Sequence, residues 1–195
     1  MARGERKQQI LQAFALMLQA NPGHPITTAA LAAHVGVSEA ALYRHFPSKA
    51  KIIEGLIVFA EETLFTRINK ILQEQGGAPA RCRNILYLLL SFIERNPGFA
   101  RLFVGDILQG ETDRLRGRMN QLMNRLETQL RQILREHNAQ QTSMPTIHIN
   151  AHANLLLAVT EGRIMQFVRS DFNELPTKNW DDQWAALHQA LFAGE

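Results

Sequence analysis

The sequence has a single cysteine, Cys82, which excludes an intrachain disulfide and any zinc cluster built on cysteines. Such a chain suits a reducing compartment, so the expected location is cytoplasmic. Arg81 and Arg83 flank the thiol and would favour its thiolate, but a passive position on a helix is the preferred reading. No apolar stretch follows the charged N-terminal residues, so no secretory signal is expected. The longest apolar run, Ile85 to Leu90, falls far short of the ~20 residues that span a bilayer. Alternation of strand period is missing, and so are internal repeats and low-complexity tracts. These absences predict an all-α fold.

Catalytic patterns are missing too. There is no GxSxG, no glycine loop ending in Lys-Ser/Thr and no dinucleotide fingerprint. His148 and His152 stand four apart, a spacing that suits a metal, but no HExxH glutamate lies between them. They are read as exposed histidines at a loop. Asp181 and Asp182 at a helix start are explained by the helix dipole. The chain is therefore not expected to be an enzyme or to hold a metal or cofactor.

The stretch from Thr27 to Lys49 organises what is there. Thr27 and Ser38 each place a hydroxyl just before a helical run, where it can accept from an orphan N–H of the first turn. The first run is Thr28 to His34. Val35-Gly36-Val37 breaks it, since glycine tolerates positive φ at a helix end. The second run is Glu39 to His45, stopped by Pro47. Helical spacing turns Ala41, Leu42 and Phe46 inward and Glu39, Ala40, Tyr43 and Arg44 outward. Two short helices on a tight turn make a helix-turn-helix, whose second helix enters a DNA major groove. Tyr43 and His45 can reach phosphate oxygens, Arg44 can reach phosphate or guanine, and Lys49 sits at the rim.

Charge points the same way. Met1 to Lys51 holds six Lys/Arg and two acids, a net +4, while the remaining 144 residues hold 15 Lys/Arg and 16 acids, a net −1. The excess positive charge thus lies on the segment assigned to DNA, as phosphate neutralisation requires. The same segment contributes Arg3, Arg6 and Lys7 at the start of a helix over 6–20, whose apolar face includes Ile10, Leu11, Phe14, Leu16, Met17 and Leu18. The head's core is expected from Leu11, Phe14, Leu31, Val35, Leu42 and Phe46.

After the head, a long helix is expected from Lys49 to about Gln75, then one from Pro79 to Arg95. Asn96-Pro97-Gly98 breaks the chain before a short helix carrying Phe99, Leu102 and Phe103. A loop follows over Gly105 to Thr112. An arginine-rich helix runs from Asp113 to about His137, with its charges read as a solvated face. Asn138 to Thr146 reads as a flexible loop. The last two helices are expected over Ile147 to Ser170 and Trp180 to Phe192, joined by a linker from Asp171 to Asn179. The expected division is a head at 1–50 and a body at 51–195, about nine helices in all.

The motif YRHFPSK at 43–49, closing a helix-turn-helix, resembles the TetR family of DNA-binding regulators, where a tyrosine, a phenylalanine and a lysine recur at these places. The likeness is nearest to the SlmA-type nucleoid occlusion branch of that family. It rests on residues 26–49 and on LFTRINKIL at 64–72, ERNPGFARL at 94–102, DRLRGRMNQL at 113–122, QLRQILRE at 129–136 and FVRSDFNELPT at 167–177. The resemblance implies a DNA-binding set of Arg3, Arg6, Lys7, Thr27, Thr28, Ser38, Glu39, Ala40, Tyr43, Arg44, His45 and Lys49. It implies palindromic double-stranded DNA and a nucleoid-associated homodimer through the last two helices. It also implies a second partner, the tubulin-like division protein FtsZ, whose C-terminal tail would meet Phe59, Phe65, Arg67, Leu88, Arg95 and Asn96. The alternative is a ligand-responsive repressor with a body pocket lined by Phe92, Phe103 and Met165.

Overall fold

A computed structural model describes residues 3–74, 76–108, 113–141 and 146–192. The described residues form nine α-helices and no strand. In order they are α1 (Arg3–Ala20), α2 (Thr28–Val35), α3 (Glu39–His45), α4 (Lys49–Gln73), α5 (Ala78–Arg95), α6 (Pro97–Val104), α7 (Asp113–Gln141), α8 (Thr146–Arg169) and α9 (Trp180–Phe192). A 3₁₀ turn, Asp106–Leu108, follows α6.

Local chemistry sets the head. Thr27 Oγ1 accepts from the Ala30 N–H at 3.1 Å, and Ser38 Oγ accepts from the Ala41 N–H at 3.2 Å. Each satisfies an orphan donor of the helix that follows. Gly36 takes φ 74°, its N–H donates to Ala33 O, and the Val37 N–H donates to Ala32 O at 3.0 Å. That pair of bonds closes α2 in a Schellman motif, with Val37 packed against the core as its apolar clasp. Ile10, Phe14, Leu18, Leu31, Leu42 and Phe46 are buried beneath. Leu11 and Val35, expected in this core, lie at its edge. Ile10, Phe14 and Leu18 take the inner row at i, i+4, i+8 instead. Leu16, expected on the apolar face of α1, is half exposed because it falls on the opposite side of that row.

The seam between head and body is the part that sequence periodicity does not reveal. α6 crosses α1 backbone to backbone at Gly98, where a Cβ would stand 2.0 Å from Ala15 O. One helical turn on, Arg101 is buried and donates Nε to Asp106 Oδ2 at 2.7 Å. Its Nη1 donates to the carbonyls of Leu18 at 3.2 Å and Asn21 at 2.8 Å. A body arginine thus satisfies carbonyls at the C-terminal end of α1, which no helix can satisfy by itself.

Three expectations are corrected. The arginines of α7 are not simply a solvated face. Arg114 reaches Glu54 at 2.7 Å, Arg118 reaches Glu61 at 2.9 Å, Arg125 also pairs with Glu61, and all of these acids sit on α4. α7 runs on to Gln141, since Ala139 and Gln140 favour helix, and α8 opens at Thr146, so positions 138–141 and 146 of the expected loop are helical; positions 142–145 lie outside the described residues. His148 and His152 stand on α8 rather than a loop, rings stacked with centroids 6.2 Å apart. The linker from Asp171 to Asn179 is observed, and Arg163 organises it by donating to the carbonyls of Leu175, Pro176 and Lys178.

Candidate DNA interface and groove

α3 presents Glu39, Ala40, Tyr43 and Arg44 to solvent, with His45 half-buried. Thr28, at the start of α2, ties this face together. Its hydroxyl donates to Glu39 Oε1 at 2.7 Å and lies 3.0 Å from the Tyr43 hydroxyl. Thr27 and Ser38 are exposed but serve as caps, so their side-chain oxygens are partly engaged. Lys7 stands 5.6 Å from the centroid of the Phe46 ring, which brings the start of α1 beside the end of α3. Arg6 donates to Gln9 at 2.7 Å on the exposed side of α1. Lys49 opens α4 behind the Ser48 cap. Arg3 begins α1; its side chain lies outside the described residues. The Thr27 and Ser38 hydroxyls and the exposed guanidinium and ammonium groups can donate to phosphate oxygens, and the exposed side of α3 can reach base edges.

On another side, a groove of about 380 Å³ runs between head and body. Leu11, Ala15 and Leu16 of α1 form one wall, and Leu56, Phe59 and Phe99 the other. Gln8, Gln12 and Gln19 edge it on the head side, Arg95 and Asn96 on the body side. Phe59 is 38% exposed and tilts against Phe99, ring centroids 5.8 Å apart. Asn96 gives one of its two amide N–H groups to Phe92 O at 2.7 Å, closing the end of α5, which leaves the second N–H and the oxygen.

Of the six residues expected to meet the second partner, the groove unites Phe59, Arg95 and Asn96. Phe65 faces α7, where Arg125 covers its ring at 3.9 Å, in a separate cleft with Asn69 and Thr128. Leu88 is half-buried and packs against the core. Arg67 is exposed, about 12 Å further along α4 than Phe59 at 1.5 Å per residue. Sequence reasoning missed the α1 wall entirely. That wall interleaves half-exposed Leu16 with Gln12 and Gln19 on a helix otherwise assigned to the core, a pattern that does not by itself mark the approach of α6.

The body carries two more features. The outward side of α8 stacks Ala151, Leu155, Ala158, Gly162 and Met165, with Leu155 43% and Met165 49% exposed. Such a stripe of small and apolar side chains permits close helix approach. Between α6, α7 and α8, clefts of about 470 and 300 Å³ are lined by Phe103, Met123 and Glu161, the smaller one also by Met165. Burial, and then the Glu127 carboxylate, push the Glu161 pKa up. Phe92, expected to line such a pocket, is instead buried edge-on against Phe99. Burial pushes the Cys82 thiol up to about 12, so it is held as a neutral core residue despite its arginine neighbours. Among the described residues no group of three His, Cys, Asp or Glu could hold a metal, and no helix is long and apolar enough to cross a membrane.

Residues 10–56 match the family described as bacterial regulatory proteins, tetR family. Residues 77–192 match the family SlmA-like, described as tetracyclin repressor-like, C-terminal domain. The nucleoid occlusion factor SlmA of Idiomarina loihiensis is 54% identical over 188 residues, 96% of either chain. The nucleoid occlusion factor SlmA of Shewanella woodyi is 55% identical over 186 residues, 95% of this chain and 94% of that one. Among solved structures, the transcriptional regulator FadR from Bacillus subtilis, in complex with stearoyl-CoA, superposes with a TM-score of 0.79 at 16% identity, covering 92% of this chain and 96% of that one. The MbdR regulator from Azoarcus sp. CIB superposes with a TM-score of 0.78 at 18% identity, covering 97% and 98%. At those identities the two structures speak for the fold alone. Head, body and full-length relatives agree: this chain belongs to the TetR family of DNA-binding regulators and, within it, to the SlmA nucleoid occlusion factors.

Proposed function

We propose that this nucleoid occlusion factor binds palindromic double-stranded DNA as a homodimer and, while on DNA, captures the C-terminal tail of FtsZ and so antagonises septum assembly over the nucleoid. Arg3, Arg6, Lys7, Thr27, Thr28, Ser38, Tyr43, Arg44, His45 and Lys49 supply the phosphate and groove contacts from the basic head, together with Glu39 and Ala40 on the exposed side of α3. A single helix-turn-helix reads few base pairs, so two heads about 34 Å apart on a palindrome are needed for specificity. The exposed α8 stripe, together with α9, which packs on α5, forms the dimer contact in a four-helix arrangement. Nucleoid association follows from the DNA contact.

One observation carries the second half of the reading. Phe59, Arg95 and Asn96 share a groove whose opposite wall is α1 of the DNA-binding head. An extended tail with acidic and apolar residues suits it: the apolar walls take side chains and Arg95 takes a carboxylate. Arg67 lies within reach of such a tail once it leaves the groove. Phe65 and Leu88 contribute less, one covered by Arg125 and the other packed inward.

The test is binding of a fluorescent FtsZ C-terminal tail peptide, with and without a palindromic duplex that this protein binds. Saturable binding that Arg95→Asp abolishes, with DNA affinity kept, supports the proposal. No binding in either state would move the weight to a ligand-responsive repressor. The clefts lined by Phe103, Met123 and Glu161 favour that second reading, and a small-molecule screen on the body would then follow.

A further inference from the structure

The recognition helix begins with a carboxylate on a surface built for a polyanion. Glu39 is one of only two acids in the first 51 residues, is exposed, and is the first residue of α3. Among the described residues no ion pair is seen at Glu39. Any phosphate near it is repelled, so for backbone contact alone this side chain is a liability.

It is nevertheless held in place. Thr28 has one hydroxyl proton, and its geometry gives that proton to Glu39 Oε1 at 2.7 Å. The Tyr43 hydroxyl, 3.0 Å from Thr28 Oγ1, is then the donor to threonine. The bonds run in one direction, from Tyr43 to Thr28 to Glu39, from the middle of α3 through α2 and back to the start of α3. Each bond polarises the next, and the chain ends on a carboxylate with its second oxygen left to accept. An ionised carboxylate only accepts, so whatever it reads must donate.

The donors on base edges in the major groove are cytosine N4 and adenine N6. Adenine sets N6 beside the N7 acceptor, a pair that an amide side chain matches and that a carboxylate meets with one repulsive contact. Cytosine offers N4 with no acceptor on the same base. We propose that Glu39 reads the exocyclic amino group of one cytosine in each half-site, with Thr28 as the residue that positions it. This inference rests on the reading of the head as DNA-binding. It also gives the unfavourable charge a role. Where the cytosine is missing, the carboxylate faces the groove unpaired, and the wrong site is rejected rather than merely unrewarded.

Selection of sites from a random duplex pool tests it, using the full-length chain and its Glu39→Ala, Glu39→Gln and Thr28→Val variants, each checked for folding by circular dichroism. The wild type is expected to enrich a palindrome with a fixed cytosine in each half-site. Glu39→Ala and Glu39→Gln should keep the rest of the palindrome and lose the preference at that one position. In fluorescence anisotropy at fixed salt, replacing that cytosine should weaken the wild type about tenfold and Glu39→Ala less than about twofold. Thr28→Val should show an intermediate preference at the same position. A folded Glu39→Ala that selects the wild-type motif unchanged overturns the proposal and leaves DNA binding standing. A folded Glu39→Ala that loses the whole motif overturns it as well, because a reader of one base does not carry the site. A wild type that enriches no motif overturns the DNA reading itself.

Discussion

The DNA face and the groove are held by opposite means. The DNA face is fixed by bonds between residues close in the chain: Thr27 to Ala30, Ser38 to Ala41, Gly36 to Ala33, Thr28 to Glu39. The groove is fixed by residues about eighty positions apart, Gly98 against Ala15 and Arg101 against Leu18 and Asn21. The head can therefore vary its contact residues without disturbing the body. The groove exists only while head and body keep their mutual position. A peptide bound there touches α1, so it meets the DNA-binding head directly rather than through a chain of body contacts.

Breaking the seam should have the largest effect. Gly98→Ala forces a methyl into Ala15 O with backbone on both sides, so neither partner can swing away. The expected loss is about 3 kcal/mol or more. For a chain of this size that lowers Tm by roughly 6–12 °C, read by circular dichroism. Tail-peptide binding should fall with it at temperatures where the chain is still helical. A Gly98→Ala protein that melts with the wild type would disprove the close approach.

Arg101→Met comes next. It keeps the stem but leaves Asp106 and the carbonyls of Leu18 and Asn21 without their donor. Removing one partner of a buried charged network costs about 2–4 kcal/mol. Urea midpoints at constant slope measure it. A double variant, Arg101→Met with Asp106→Asn, should recover part of the loss. If it recovers none, the carbonyls rather than the ion pair carry the contact.

Thr27→Ala sharpens the comparison from the other side. It removes one cap, at about 1 kcal/mol, and one hydroxyl from the DNA face. DNA affinity should drop while dimerisation and DNA-free peptide binding stay as they are. Equal loss of peptide binding would mean that the two surfaces are not separable.

The same contrast explains what a sequence can say. Caps, the glycine turn and the outward set on α3 were legible because each depends on neighbours within a few residues. Helix positions were legible from apolar period. That α3 ends where it does follows from Pro47 alone. The α1 wall of the groove was not legible, since nothing in the sequence near Gln8 or Leu16 announces the approach of α6. Asn96-Pro97-Gly98 read only as a break, although its glycine is there for contact with Ala15. Phe65 and Phe59 looked alike as apolar positions on α4. Only the tertiary structure separates them, one under Arg125 and the other open in the groove. Nothing in the sequence marks Arg101 as buried, because charge alone carries no record of burial.

The smallest expected effect concerns the ladder between α4 and α7, which supports the groove's α4 wall from behind. Glu54 accepts from Arg114 and Lys51, each at 2.7 Å, and these bonds hold its carboxyl near 2, below the ordinary value of 4.5. A group whose folded pKa is depressed adds stability above its unfolded pKa and loses it as pH falls through the folded value. The contribution of Glu54 is therefore full at pH 7, begins to fade near 4.5 and is gone below about 2. Both arginine and lysine partners lie in solvent, so screening keeps the effect small and salt-sensitive. Glu54→Gln should be modestly less stable than the wild type in urea at pH 7, and the gap should close as the pH approaches 2. It should also narrow in high salt at pH 7. A gap that stays constant with pH would mean that Glu54 acts by packing rather than charge, and the ladder would then hold α4 against α7 through Arg118, Arg125 and Glu61 alone.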